Sequence, residues 1–166
     1  VGEWAEHGFF SDTDKRTVRQ AMRKELALDP AAFVVATVGM LRPDKRQEDL
    51  LRVVNVLRQR GIPAHALVVG MPTGATAAYG QQLRDLVVEL GMGDYVTFAG
   101  HREDVANVLH TADAILVPSV NEAWSRVVPE AYASRCPVVA SAVGGLPEIV
   151  HPGETGWLAP AGDVVG

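Results

Sequence analysis

Phe33-Val34-Val35-Ala36-Thr37-Val38 is an apolar run of strand length that stops at Gly39. A strand with one wet face alternates apolar and polar residues. A continuous run instead reads as a strand buried on both faces, the situation of a parallel sheet. The pattern recurs along the chain. Ala64-His65-Ala66-Leu67-Val68-Val69 closes at Gly70, Tyr95-Val96-Thr97-Phe98 at Ala99-Gly100, and Asp113-Ala114-Ile115-Leu116-Val117 at Pro118. Pro137-Val138-Val139-Ala140-Ser141 and the short Gly156-Trp157-Leu158-Ala159 complete the set. Stretches of helical period lie between them. Asp44 to Arg60 carries Leu50, Leu51, Val54 and Leu57 on one face, and Ala77 to Leu90 is stopped at Gly91 as a C-cap would stop it. Glu103 to His110 is a short helix, and Val127 to Ser134 another, with Pro129 tolerated in its first turn. This alternation predicts an α/β fold: a Rossmann-like parallel six-stranded sheet with helices on both faces.

The 166 residues suit one domain, residues 1–166, with a Rossmann-like core at 31–166 and an N-terminal linker and helix at 1–30. Within that segment Lys15 to Leu26 is a charged helical run, and Asp12-Thr13-Asp14 before it reads as an N-cap rather than a metal site. Trp4 with Phe9-Phe10 forms an apolar cluster that packs on the domain or on a partner domain. Both ends look cut. The formal charge of −5 argues against a nucleic-acid partner, which would call for a basic face. The single cysteine, Cys136, rules out an internal disulfide and reads as a buried structural thiol in a cytoplasmic protein. No signal peptide opens the chain and no apolar run is long enough to cross a membrane, which leaves peripheral association open. Histidines 7, 65, 101, 110 and 151 lack metal-ligand spacing.

In open parallel sheets, ligands settle in the crevice beyond the carboxyl ends of the strands. Here those ends are Gly39, Gly70, Gly100, Pro118-Ser119 and Ser141. Glycine there lets a ligand approach the backbone, although it also ends strands at ordinary turns. After the first strand come Gly39-Met40-Leu41-Arg42-Pro43-Asp44-Lys45, and after the fourth Pro118-Ser119-Val120-Asn121-Glu122. Glu122 falls in a loop and Glu130 inside the next helix, so both can face one cleft from different heights. A carboxylate accepts from two hydroxyls at once, which suits a vicinal diol. The helix start between them offers N–H groups to a phosphate. The spacing equally allows Glu130 to cap a surface helix and Glu122 to be solvated.

Glu122-x7-Glu130, then Ala131, then Pro137-Val138-Val139-Ala140-Ser141-Ala142-Val143-Gly144-Gly145-Leu146-Pro147-Glu148, resembles the retaining glycosyltransferases of the two-domain GT-B fold, family 4 (group 1) type. Val38-Gly39 with Lys45 resembles that family's phosphate-binding loop, and Thr155-Gly156-Trp157-Leu158 its closing strand. The resemblance runs from about Phe33 to Asp163 with its motifs in order. It implies the C-terminal, donor-binding domain of such an enzyme, with the acceptor-binding N-terminal domain absent from the chain. The implied reaction transfers a hexosyl group from a nucleoside-diphosphate sugar to an acceptor, with retained configuration, no metal and no cofactor. By the same resemblance Glu130 takes the ribose hydroxyls and Glu122 the donor sugar. Trp124 and Ser125 offer backbone N–H groups to the sugar or distal phosphate. Lys45 neutralises the diphosphate, with Gly39 in the same loop and Arg42 two residues beyond Met40; Arg126 is a further donor-binding residue, and the base lies near Gly100-His101-Arg102. Glu122 and Lys45 are the expected catalytic residues, since a fixed cation in a dry cleft stabilises a departing diphosphate.

The sequence departs from the family pattern in places. Met40 stands where arginine is common, with Arg42 as a possible substitute cation; Arg46 and Ser125 stand where glycine is common, and Cys136 replaces another frequent glycine. Two other readings remain: half of a nucleotide-sugar 2-epimerase, or a non-catalytic nucleotide-binding scaffold. The isolated domain is expected to turn over poorly, because the closing cleft needs the missing domain.

Overall fold

The computed structural model describes residues 15–165. Its strands are β1 (Phe33–Val38), β2 (Ala64–Val69), β3 (Val96–Gly100), β4 (Ala114–Val117), β5 (Val138–Ser141) and β6 (Gly156–Ala159). The helices are α1 (Lys15–Glu25), α2 (Gln47–Gln59), α3 (Ala77–Glu89), α4 (Val105–Thr111), α5 (Val127–Ala133) and α6 (Leu146–Ile149). All strand pairs are parallel, in the order β3-β2-β1-β4-β5-β6. The expected α/β, Rossmann-like architecture is therefore present.

The continuous apolar strands are explained by two cores, one on each face of the sheet. Val34 and Ala36 of β1 join Leu67, Ile115, Val128 and Val138 on one side, under α4 and α5. Val35 points the other way, to Leu50, Leu51, Val54, Leu83 and Val87 of α2 and α3. The residues expected to share a face of α2 do so, with Leu50, Leu51 and Val54 fully buried. Helix α1 is fastened by buried Arg23, which donates to the carbonyls of Pro30 and Ala32 (both 2.9 Å) and to Asp113 (2.9 Å). Arg19 reaches the same carboxylate at 2.6 Å. Trp4, Phe9-Phe10 and Asp12-Thr13-Asp14 lie outside the described residues.

The structure moves several boundaries. The helix expected from Asp44 begins only at Gln47. Pro43–Lys45 is a separate 3-10 turn, and Arg46 at φ +49° breaks the chain away from it. Lys45 thus sits on its own turn at the end of β1 rather than on α2. Helix α6, with Pro147 in its first turn, is too short to leave a periodic signature. Gly91 is a left-handed C-cap as expected (φ +64°). At the end of α5 the left-handed residue is Arg135 (φ +55°), not Cys136. The glycine-like position therefore lies one residue earlier than the sequence reading placed it. Cys136 itself is buried, its thiol pushed up to about 12 by burial first and by Asp113 second.

Candidate functional site

β1 pairs with β2 over six registered positions but with β4 over only two, Val35 with Ala114 and Ala36 with Ile115. Strand order reverses at this short seam, and the strands part beyond it. A reversal of this kind is where an open α/β sheet offers a ligand crevice. A cleft of about 420 Å³ opens there, its wall including Gly39, Lys45, Glu122, Trp124, Arg126 and Glu130.

Two loops that are distant in sequence are stitched together across the seam. The Val120 N–H donates to the Asp44 carbonyl at 2.9 Å. Lys45 Nζ then donates to Glu122 Oε2 at 2.5 Å, and Ser119 Oγ donates to the same oxygen at 3.1 Å. Glu122 Oε1 makes no hydrogen bond and is left open to a ligand. The side chains of Lys45 and Glu122 are 27% and 11% exposed, so the pair is partly desolvated and stronger than a surface ion pair.

Gly144 and Gly145 explain why the Glu122 loop sits where it does. The Gly145 N–H donates to the Glu122 carbonyl at 2.9 Å. A Cβ on Gly144, which lies at φ +53°, would stand 2.1 Å from that carbonyl oxygen, and one on Gly145 would stand 2.5 Å from the Ala123 oxygen. Only glycines allow the two backbones to approach this closely. Gly70 plays a similar part beside β1, where a Cβ would meet the Gly39 oxygen at 1.8 Å. That strand-end glycine admits a neighbouring backbone rather than a ligand.

Glu130 is half-buried within α5, and its carboxylate makes no hydrogen bond. Burial raises its carboxyl above the ordinary range, with Arg126 opposing that shift. Ser125 is buried in the cleft wall, whereas Trp124 stands 59% exposed at the mouth. Gln47 also lines the cleft, 1% exposed; its amide donates to the Met40 carbonyl at 3.0 Å and its Oε1 has no partner. The sequence reading missed Gln47 and the Ser119 bond to Glu122. Ser119 had a signal available, since it lies two residues beyond β4 and three before Glu122.

Some expected site residues are not brought into this wall. Arg42 forks onto Asp44 at 2.9 and 2.8 Å, a carboxylate of its own turn, and does not line the cleft wall. Arg102 is taken up by Asp104 (2.8 Å) and Glu25 (2.7 Å), which hold its guanidinium above its ordinary pKa. Gly100 accepts a backbone bond from Gly70 at 2.7 Å, and His101 is exposed beyond it. These three lie at the end of β3, outside the cleft wall. Among the described residues no group of three or more His, Cys, Asp or Glu is placed to hold a metal.

Residues 32–166 match the family model described as glycosyl transferases group 1. The chain is 43% identical over 148 residues to a D-inositol 3-phosphate glycosyltransferase of Mycobacterium sp. (strain KMS), covering 88% of the chain and 33% of the relative. It is 40% identical over 154 residues to the enzyme of that name from Corynebacterium efficiens, covering 90% and 36%. The chain therefore spans about a third of the length of these curated relatives. Among solved structures it superposes on Anabaena HepE in complex with UDP and glucose with a TM-score of 0.86 and 26% identity, covering 94% of this chain and 41% of that one. Sucrose-phosphate synthase from Thermosynechococcus elongatus gives 0.74 and 32%, covering 87% and 36%.

Proposed function

This chain belongs to the glycosyl transferases of group 1, and we propose that it is the donor-binding domain of an enzyme that moves a hexosyl group, with retention, from a nucleoside-diphosphate sugar to an acceptor. The observation that carries this reading is one cleft at the strand-order reversal, holding the Lys45–Glu122 pair and an unpartnered Glu130. Glu130 accepts from the vicinal ribose hydroxyls. Glu122 offers its open Oε1 to the donor sugar, while Lys45 turns toward the diphosphate and stabilises it as it departs. Phosphate charge is met by side-chain cations, without a metal or other cofactor. UDP is the favoured nucleotide because HepE was solved with it.

The acceptor is bound by a further domain, which also closes the cleft over the reacting centre. The chain alone therefore turns over poorly, and measurable sugar transfer by it to a defined acceptor would contradict this. A lone buried thiol, Cys136, fits a reducing, cytoplasmic setting. Among the described residues no helix is long and apolar enough to cross a membrane.

The test is a thermal-shift panel with UDP, GDP, ADP, CMP and NAD. A ligand at about a hundred times its Kd adds roughly 2.7 kcal/mol, a rise of roughly 5–10 °C for a domain this size. The expected result is a rise with one nucleoside diphosphate that Glu130→Ala abolishes. A flat panel, or an unchanged rise in Glu130→Ala, would refute the donor-site reading.

A further inference from the structure

Among the described residues, five cations stand on the loops at the carboxyl edge of the sheet, and four of them already hold a carboxylate. Lys45 is on Glu122 (2.5 Å), Arg42 on Asp44 (2.8 Å), Arg46 on Asp49 (2.6 Å) and Arg102 on Asp104 (2.8 Å). The fifth, Arg126, lines the cleft and is exposed, and its guanidinium makes no hydrogen bond or ion pair. It feels Glu130 electrostatically, one helical turn on, without closing to an ion pair. On the β1 side, the residue after Gly39 is the uncharged, exposed Met40.

Charge balance then decides what a diphosphate meets. The cleft wall carries two cations, Lys45 and Arg126, and two carboxylates, Glu122 and Glu130. Lys45 is neutralised by Glu122, so without Arg126 the site would present a net negative charge to an anion. We infer that Arg126 is the second phosphate-binding cation of this cleft, gripping the diphosphate from the α5 side while Lys45 holds it from the β1 side. This rests on the donor-site reading above. Guanidinium suits the task, because its planar fork donates two parallel hydrogen bonds to phosphate oxygens. The spacing fits as well. Arg126 and Glu130 are neighbours one turn apart, as phosphate and ribose are neighbours in a nucleotide.

The experiment is calorimetric titration of the 166-residue chain and its R126L and R126K variants with UDP and with uridine, which lacks the phosphates. Losing a charge-assisted contact should raise the Kd of R126L for UDP about tenfold or more. Uridine should bind R126L and wild type within about twofold of each other, and R126K should fall between them for UDP. UDP binding to R126L within about twofold of wild type would overturn the inference and leave the donor site standing. Equal loss of UDP and uridine would also overturn it, by showing that Arg126 acts through the loop. A wild-type chain that binds no UDP would instead remove the UDP reading on which the inference rests.

Discussion

Replacing Gly144 by alanine asks whether the Glu122 loop is held by the backbone seat beneath it. At φ +53° an L-residue costs about 1–2 kcal/mol. The added Cβ would lie 2.1 Å from the Glu122 carbonyl oxygen. Carbon contacts are comfortable near about 3.5 Å, so the loop must retreat by roughly 1 Å or more. That retreat breaks the 2.9 Å bond from the Gly145 N–H, and a donor left unmade costs about 1–3 kcal/mol. Together the loss is about 2–5 kcal/mol, a fall of roughly 10 °C in the melting temperature. Glu122 moves with the loop and carries the Lys45 contact away, so UDP affinity should drop at the same time. Calorimetric melting with a UDP titration measures both. Gly93→Ala is the control, because a Cβ there meets open space and its φ is ordinary. A Gly144→Ala chain that melts within about 1 °C of wild type and binds UDP equally well would refute the reasoning.

Two more outcomes can be checked on the same protein. Arg135 is exposed and left-handed (φ +55°), so Arg135→Gly should stabilise by about 0.5–1 kcal/mol and raise the melting temperature by about 1–4 °C; a fall would contradict the strain argument. His65 and His110 are held neutral, their pKa values lowered first by burial and then by cations, Arg58 and Arg23 for His65 and Lys15 for His110. Above about pH 6.5 both states are neutral and stability is full, while below it the unfolded chain takes up protons first and stability falls. Urea midpoints at about pH 7.5 and 5.5 should show that decline, and H65L should flatten it; an equal decline in H65L would exclude His65.

Continuous apolar runs, three of them ending at glycine, were enough to read six parallel strands, because a strand covered on both faces has no room for alternation. Spacing also brought out Glu122 and Glu130, which the fold gathers into one cleft. Other features depended on partners that a linear reading cannot supply. Arg42 and Arg102 look like available cations until Asp44, Asp104 and Glu25 are seen to hold them. The break before α2 depends on Arg46 adopting a left-handed backbone, stabilised by its fork onto Asp49. The Gly144-Gly145 pair was visible as a motif, but its purpose was not, since the backbone it receives lies more than twenty residues upstream.

The order of the strands also sets a sequence of events during synthesis. β1, β2 and β3, with α2 and α3, all lie within residues 33–100, and the core on their face needs little from later in the chain beyond Leu116. A nascent chain can finish that side early. The opposite face has to wait, with Val34, Ala36, Leu67 and Val69 uncovered until Val108, Ile115, Val128 and Val138 emerge. The β1–β4 seam is therefore where the early half of the sheet meets the late half, and the cleft lies on it. A growing polypeptide cannot wall its cleft before Glu130 has emerged, so the site exists only once both halves of the sheet have met.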